Sequence, residues 1–494
     1  MLLEALQQRI AELEAALAAK DAEIAAKAVR TREPEQLVVT LMAQVAALTR
    51  QVAELTEKLG QNSRNSHLPP SSDPPGSAGN AGGGKPRSKS ERKRGGQRGH
   101  RGARRELVPE AQVNDLTDLY PAECENCWAA LPEVADANAK RHQFIEVPPI
   151  QPHTTEWRRH AVTCTCCGHK TRAAYDEDTI PASPFGPRLM GIVALLTGVY
   201  HLSRRRAPKL LSDLVGVPIS LGAISAVEAR VSEAVKPAVD EAWTRVEGAA
   251  VKHTDGTSWL KAGALLALWT IASTAVTVFK IVTDNSRATL EPLYGALRGI
   301  LVSDRAKALG FWAMERRQIC WAHLLRKFVS FAERDGPSAA FGRDLLNYTG
   351  ILFEYWHDYK AGKLDRATFR AWMAPVRTQV EALLARAAAA NIDRVSGSCA
   401  DILAHKHALW TFVESDGVEP TNNHAERELR AFVLWRKRSF GTQSDRGNLF
   451  AERLMTVAHT ARKQGQDVLA FLTGCCQAHA AGTRAPSLFS AAAA

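Results

Sequence analysis

Three acidic residues stand where carboxylates can gather. Asp255 falls late in the apolar–polar alternation of "AAVKHTDGTSWLK", which reads as a strand. Asp304 follows Gly299 to Val302, a buried-looking run in "LRGILVSDRAKAL". Two strand-end aspartates need a third ligand to hold metal ions well. Mg²⁺ suits such a set, being a hard cation that prefers carboxylate oxygens and keeps several waters. Two ions about 4 Å apart can activate a nucleophile and stabilise a leaving oxygen in phosphoryl transfer. The third acid can come from far along the chain if it lies on a helix packed against the same sheet.

The stretch "EPTNNHAERELR", Glu419 to Arg430, supplies such a helix. Asn423 can cap it, and Glu426 follows at the capping-box position. Ala425, Leu429, Phe432 and Val433 form one apolar stripe, with Glu426 about 100° from Ala425 at the stripe's margin. From that margin it can point along the sheet edge toward Asp255 and Asp304. The alternative is that Glu426 only completes a capping box, and the residues leave both readings open. Arg427 and Arg430 lie on neighbouring faces, suited to holding a phosphate backbone.

These acids need a scaffold. Ala262 to Phe279 contains no charged residue, long enough to raise a membrane helix. Its threonines and β-branched alternation instead predict two strands joined near Ser273. "RRQICWAHLLRKF" begins as a strand and passes into a helix near His323. Three strands, then a strand ending in an acid, then a strand–helix unit predict a mixed sheet with carboxylates at one edge.

The rest of the chain points to a polyanion. The formal charge is +11, and Lys85 to Arg105 holds ten of the basic residues and one acid. A basic hot spot favours nucleic acid over membrane. It lies in residues 61–110, a Ser/Pro/Gly-rich linker that turns Gly/Arg-rich; Arg94, Arg98, Arg101, Arg104 and Arg105 can meet a phosphate ridge or a narrow minor groove. Residues 1–60 carry apolar a/d positions from Leu6 to Ile24 and from Val38 to Leu59, which predict a coiled coil and self-association. A hairpin folded at Pro34 is the alternative. Met1 leads straight into charged heptads, which reads as no secretory leader, so the nine cysteines imply a reducing cytosol. The pairs Cys124/Cys127 and Cys164/Cys167 have C-x₂-C spacing and predict a structural Zn²⁺ module over 111–178, with Cys166 and His169 as substitutes for Cys167. In 179–245, Gly216 and Ser220 punctuate a candidate helix-turn-helix, for which an ordinary helical bundle is the alternative.

The chain resembles the insertion-sequence 66 family of transposases. The resemblance rests on "LGQNSRNSHLPPSSD", "RKRGGQRGHRG", the paired cysteines, "HTDGTSW", "VSDRAKAL", "CWAHLLRKF", "NNHAERELR" and "RKRSFGTQS", in the family's order. It implies a DDE enzyme with a ribonuclease-H-like core, in which Asp255, Asp304 and Glu426 hold two Mg²⁺ (or Mn²⁺) ions. It also implies a helical insertion, which residues 333–412 would supply between core segments 246–332 and 413–475, with 476–494 as a tail. The whole would be a multidomain α+β protein. His323 matches the family's Cys-x-x-His motif through Cys320; His323 is a candidate substrate contact and Cys320 a core residue. Arg436, Lys437 and Arg438 join Arg427 and Arg430 as candidate phosphate binders. Where the family usually has Asp-Glu-Thr, this chain has Asp255, Gly256 and Thr257, and "RKRSFGTQS" departs from the commoner Arg-Lys-Asn form. The implied reaction is cleavage and transfer of DNA strands by a homo-oligomer, with accessory proteins of the same element as further partners. A non-catalytic DNA-binding regulator and a metal-dependent nuclease are the rivals.

Overall fold

The computed structural model describes residues 2–28, 34–61, 65–66, 105–175 and 179–489. Arg94, Arg98, Arg101 and Arg104 lie outside them. The chain divides into two units: Met1–Ala81 with Thr154–Asp213 and Val217–Ala494, and Gly82–His153 with Leu214–Gly216.

Among its described residues the second unit contains little regular structure. Gln143 ties two of its segments together, accepting from the Val108 N–H and donating to the Val108 carbonyl, both at 2.8 Å. Arg105 is exposed and donates to the Gln143 carbonyl at 2.9 Å.

The first unit opens with α1 (Leu2–Ala28) and α2 (Pro34–Gly60), which pack against each other. Leu13 and Leu41 are buried. The heptad pattern thus seals a pair within one chain, the hairpin alternative to self-association. Pro34 opens α2, where a missing N–H costs nothing.

A short antiparallel pair follows, β1 (Ala161–Thr163) and β2 (Lys170–Arg172). Then come α3 (Pro187–Ala194), α4 (Ala207–Val215), α5 (Leu221–Ala234) and α6 (Lys236–Glu247). Gly216 adopts φ +67° where α4 ends, and Ser220 caps α5 by accepting from the Ala223 N–H at 3.1 Å. Ile224, Val227 and Val231 are buried as α5 packs on α3 and on two C-terminal helices, α15 (Asp445–Lys463) and α16 (Val468–Ala480). Arg204, just upstream, pairs with the buried Glu228.

The central sheet contains β3 (Val251–Lys261), β4 (Ala264–Ala272), β5 (Thr277–Val282), β6 (Ile300–Ser303) and β7 (Arg317–Ile319), in the order β5-β4-β3-β6-β7. The first three strands are antiparallel; β6 and β7 run parallel to β3. The apolar window from Ala262 is therefore strand, and Ser273 closes its turn by donating to the Val276 carbonyl at 2.8 Å. No helix among the described residues is long and apolar enough to cross a membrane.

Between β5 and β6 lies α7 (Arg287–Tyr294). After β7 the chain is helical throughout: α8 (Trp321–Ala332), α9 (Pro337–Lys360), α10 (Arg366–Ala389), α11 (Ser396–Ala404), α12 (Lys406–Leu409), α13 (Thr411–Glu414) and α14 (Asn423–Ser439), then α15 and α16. The helices up to α13 share one core with Val302 and Ile319 of the sheet. On β3–β5, Trp259, Leu268 and Phe279 pack against Leu429, Phe432 and Trp435 of α14 and Met455 of α15. Within residues 476–494, expected as a tail, α16 runs to Ala480 and Leu488 is fully buried.

Edge strand β5 has no neighbouring strand on one side, and α15 fills that role. Thr460, Thr456 and Glu452 recur at helical spacing and accept from the N–H groups of Thr277, Phe279 and Ile281 at 3.1, 3.1 and 2.7 Å. Alternate strand donors are satisfied by successive turns of a helix, as buried backbone groups require.

Candidate active site

The register of the sheet brings the two aspartates together. Pairing of β3 with β6 ends at His253 and Val302. Asp255 and Asp304 each follow two residues later, so on adjacent parallel strands they stand side by side on one face. Asp304 lies just beyond the carboxyl end of β6, where open sheets of this kind bind ligands, whereas Asp255, expected at a strand end, lies inside β3 and pairs with Thr270 of β4. Asp255 and Trp259 are four apart and share a face. The Trp259 ring meets Phe432 of α14 edge-on at 5.4 Å between centroids, so α14 covers that same face.

Glu426, in the first turn of α14, is close enough to act on Asp255 electrostatically, but Asp255, Asp304 and Glu426 do not form a group whose ligand atoms all lie within 4.8 Å of one another. Burial pushes the Asp255 carboxyl well above the usual carboxylate range, and the charges of Asp304 and Glu426 push it further. The Gly256 N–H, 2.9 Å from Asp255 Oδ1, acts in the opposite direction without prevailing. Asp304 Oδ1 accepts from the Ala306 N–H at 2.9 Å. Arg317, fully buried, donates to the Asp304 carbonyl at 2.8 Å and to Ser303 Oγ at 3.1 Å, fixing the turn that presents Asp304.

The capping box does not form. Asn423 is the first residue of α14, and Asn422 in the N-cap position makes no side-chain cap. Glu426 is therefore released from that duty. Its Oε1 lies 3.6 Å from both His323 Nδ1 and an Arg326 guanidinium nitrogen, too far for a hydrogen bond to either. Glu426 Oε1 and His323 Nδ1 are both buried without a hydrogen-bond partner. A carboxylate oxygen and a ring nitrogen left without partners beside each other are atoms of the kind that ligate a divalent cation. Cys320 Sγ, His323 and Glu426 have ligand atoms within 4.8 Å of one another, the one such group of three among the described residues. The sulfur is otherwise engaged: Cys320 is fully buried, its Sγ accepts from the Asn422 N–H at 3.1 Å, and burial pushes the thiol up to about 12. This agrees with its reading as a core residue.

Residues 182–449 match the family described as Transposase IS66 family, more than half of the 494-residue chain. The chain belongs to the IS66 transposase family. Residues 6–106 of this IS66-family protein match a second family, described only as a family of unknown function (DUF6444). No curated protein matches the chain.

Other candidate residues of the transposase chain fall out differently. Arg427 and Arg430 are exposed on the outer face of α14, as are Lys437 and Arg438. Arg436 turns inward instead, donating to Thr257 Oγ1 at 3.2 Å and to the carbonyl and hydroxyl of Ser258, so it fastens α14 to β3. The departure at Gly256 has a structural counterpart. Gly256 pairs with Trp269 across β3–β4, and a Cβ there would fall 2.7 Å from the indole. Its neighbour in sequence, Asp255, faces the other side of the sheet, so an acid missing at 256 leaves the carboxylate group intact.

The two cysteine turns share one local geometry. The Cys124 N–H donates to the Ala129 carbonyl, and the Trp128 N–H to the Cys124 carbonyl; Cys164, His169 and Gly168 repeat the pattern. Trp128 and Gly168 hold matching left-handed conformations, φ +62° and +70°. Backbone N–H groups of Asn126 and Cys127 hold the Cys124 thiol below its ordinary value, and those of Cys167 and Cys166 do the same for Cys164. Such turns favour the thiolate, the form that ligates metal.

Sequence reasoning missed Asn422, Arg317 and Arg326. Arg326 carried a signal, since it follows His323 by nearly one helical turn and so shares its face.

Proposed function

We propose that this IS66-family protein is a DDE-type DNA transposase with a ribonuclease-H-like core. In this reading Asp255, Asp304 and Glu426 hold divalent cations, Mg²⁺ or Mn²⁺. The observation that carries it is the register of β3 and β6, which sets Asp255 beside Asp304, with Glu426 near enough to disfavour the charged form of Asp255. The strand order, with three antiparallel strands followed by two parallel ones, supports the fold assignment.

The reaction is in-line displacement at phosphorus, with no covalent protein intermediate. Water attacks a phosphodiester at the element's end and frees a 3′-hydroxyl, which then attacks target DNA at the same site. Bound divalent cations would supply Lewis-acid activation and neutralise charge on the phosphate oxygens. The three carboxylates gather the negative charge that retains them. His323 faces the scissile phosphate beside Glu426, and Arg326 balances the Glu426 charge from the same helix. Arg427 and Arg430 hold the DNA backbone on the outer face of α14, with Lys437 further along. Arg105 and the arginines of the linker add sequence-independent contacts. The paired cysteines, Cys124 with Cys127 and Cys164 with Cys167, bind structural Zn²⁺. Self-association and accessory proteins of the same element complete the assembly.

Oligonucleotides carrying the element's ends test this. Wild type yields cleaved and joined products, whereas Asp304→Asn binds the DNA and yields neither. Cleavage without joining would make the protein a nuclease, and a mobility shift without cleavage a regulator. Unchanged activity in Asp304→Asn would remove Asp304 from the site.

A further inference from the structure

We propose that Asn422 is a positioning residue that locks the three chain segments of the acid site together. The proposal rests on the reading of Asp255, Asp304 and Glu426 as metal ligands. Asn422 is fully buried. In the N-cap position its side chain would ordinarily accept from a helix N–H, yet it makes no such bond. It reaches across the core instead. Asn422 Nδ2 donates to the carbonyl of Thr254 at 2.7 Å, and Oδ1 lies 3.3 Å from His253 Nδ1. Its backbone N–H donates to Cys320 Sγ at 3.1 Å, and its carbonyl accepts from the Glu426 N–H at 3.2 Å.

Each contact lands next to a functional group. Thr254 precedes Asp255 on β3. Cys320 follows β7, and the Cys320 N–H donates to the carbonyl of Ser303, the residue before Asp304, at 2.8 Å. His323 lies in the first turn of α8, its N–H donating to the Cys320 carbonyl at 3.2 Å. Glu426 is tied through the helix backbone itself. The one residue thereby couples segments 168 residues apart in sequence, its side chain reaching β3 and its backbone reaching Cys320 and Glu426.

The chemistry demands an amide. The Thr254 carbonyl requires a donor and the His253 ring faces an acceptor when its Nδ1 carries the proton. Aspartate offers no donor to Thr254, and leucine offers neither group. Cys320 has a matching part: its buried sulfur serves as acceptor for the Asn422 N–H, and a serine hydroxyl could do the same. This accounts for a buried cysteine beside the acids without making it a ligand.

The test uses the full-length chain and Mn²⁺ as the probe, titrated by the loss of its free paramagnetic resonance signal, with strand cleavage and thermal midpoint measured in parallel. Asn422→Leu should weaken Mn²⁺ binding at least tenfold. It should lower cleavage at saturating DNA by about 100-fold, the scale expected when reacting groups shift by about 1 Å, with KM for DNA unchanged. Cys320→Ala should weaken Mn²⁺ binding in the same direction and Cys320→Ser should restore most of it; that pair decides the matter if Asn422→Leu does not fold. A folded Asn422→Leu with wild-type Mn²⁺ affinity and cleavage overturns the proposal, as does equal behaviour of Cys320→Ala and wild type. Asp304→Asn is run alongside. If it binds Mn²⁺ as wild type does, the metal-ligand reading itself fails, and the clamp fails with it.

Discussion

Restoring the acid that the family usually carries after its first aspartate should damage this protein. At Gly256, a Cβ would approach three Trp269 ring atoms at 2.7, 2.8 and 2.9 Å, closer than real contacts allow. The indole cannot easily retreat. It is 5% exposed, its Nε1 donates to Asn285 Oδ1 at 2.9 Å, and it packs edge-on against Tyr294 at 6.4 Å. Gly256→Glu must therefore overpack the face and break the Asn285 bond. Overpacking costs about 1–3 kcal/mol and a lost hydrogen bond about 1 kcal/mol, giving a destabilisation of about 2–4 kcal/mol. Urea unfolding followed by tryptophan fluorescence measures it. In a double-mutant cycle, Gly256→Glu should cost less in a Trp269→Ala background than in wild type, because the clashing ring is already gone. If Gly256→Glu unfolds at the wild-type urea concentration, the argument that indole and side chain compete for one space is refuted.

The raised Asp255 carboxyl gives a signed pH effect. Without divalent cations, ionising Asp255 in the fold is disfavoured by burial and by Asp304 and Glu426, so its folded-state pKa exceeds its unfolded value and wild type loses stability as pH rises between the two. Asp255→Asn should accordingly match wild type in EDTA at low pH and surpass it increasingly as pH rises through that window, whereas Mg²⁺ should stabilise wild type alone; thermal scans across pH check both. Glu428 is the opposite case. Burial opposes its charge, yet the His459 hydrogen bond at 2.5 Å and Lys463 at 3.1 Å hold it down to about 2. Glu428→Gln leaves the Lys463 ammonium without its counter-charge and should cost about 3 kcal/mol at neutral pH. Because the folded-state pKa is depressed, the two unfolding curves should converge as pH falls toward about 2. Zinc content measured by elemental analysis should fall in Cys124→Ser and in Cys164→Ser, and unchanged zinc in both would remove the cysteine turns from metal binding.

Asp304 was legible because a buried run announces a strand and an acid at its end is conspicuous; alternation located Asp255 on a strand, but β3 runs on past it to Lys261 because β4 keeps pairing with it. Their adjacency was not, since it depends on the β3–β6 register, which no local pattern encodes. The stripe on α14 was largely right: Ala425, Leu429 and Phe432 are buried, while Trp435 takes the place expected of Val433. The cap was misread because Asn422 and Asn423 have equal local propensity, and a tertiary demand recruits Asn422 elsewhere. Arg436 looked like its basic neighbours because charge alone does not say which way a helix faces. The heptads of residues 1–60 could not tell an intramolecular partner from a second chain, since both bury the same positions.

The helix laid along β5 has a consequence for assembly. With Thr460, Thr456 and Glu452 occupying the strand's outward N–H groups, a sixth strand has no donors there to pair with. Copies of this protein cannot join by extending their sheets across that margin, and any complex built on DNA must recruit its members through other surfaces.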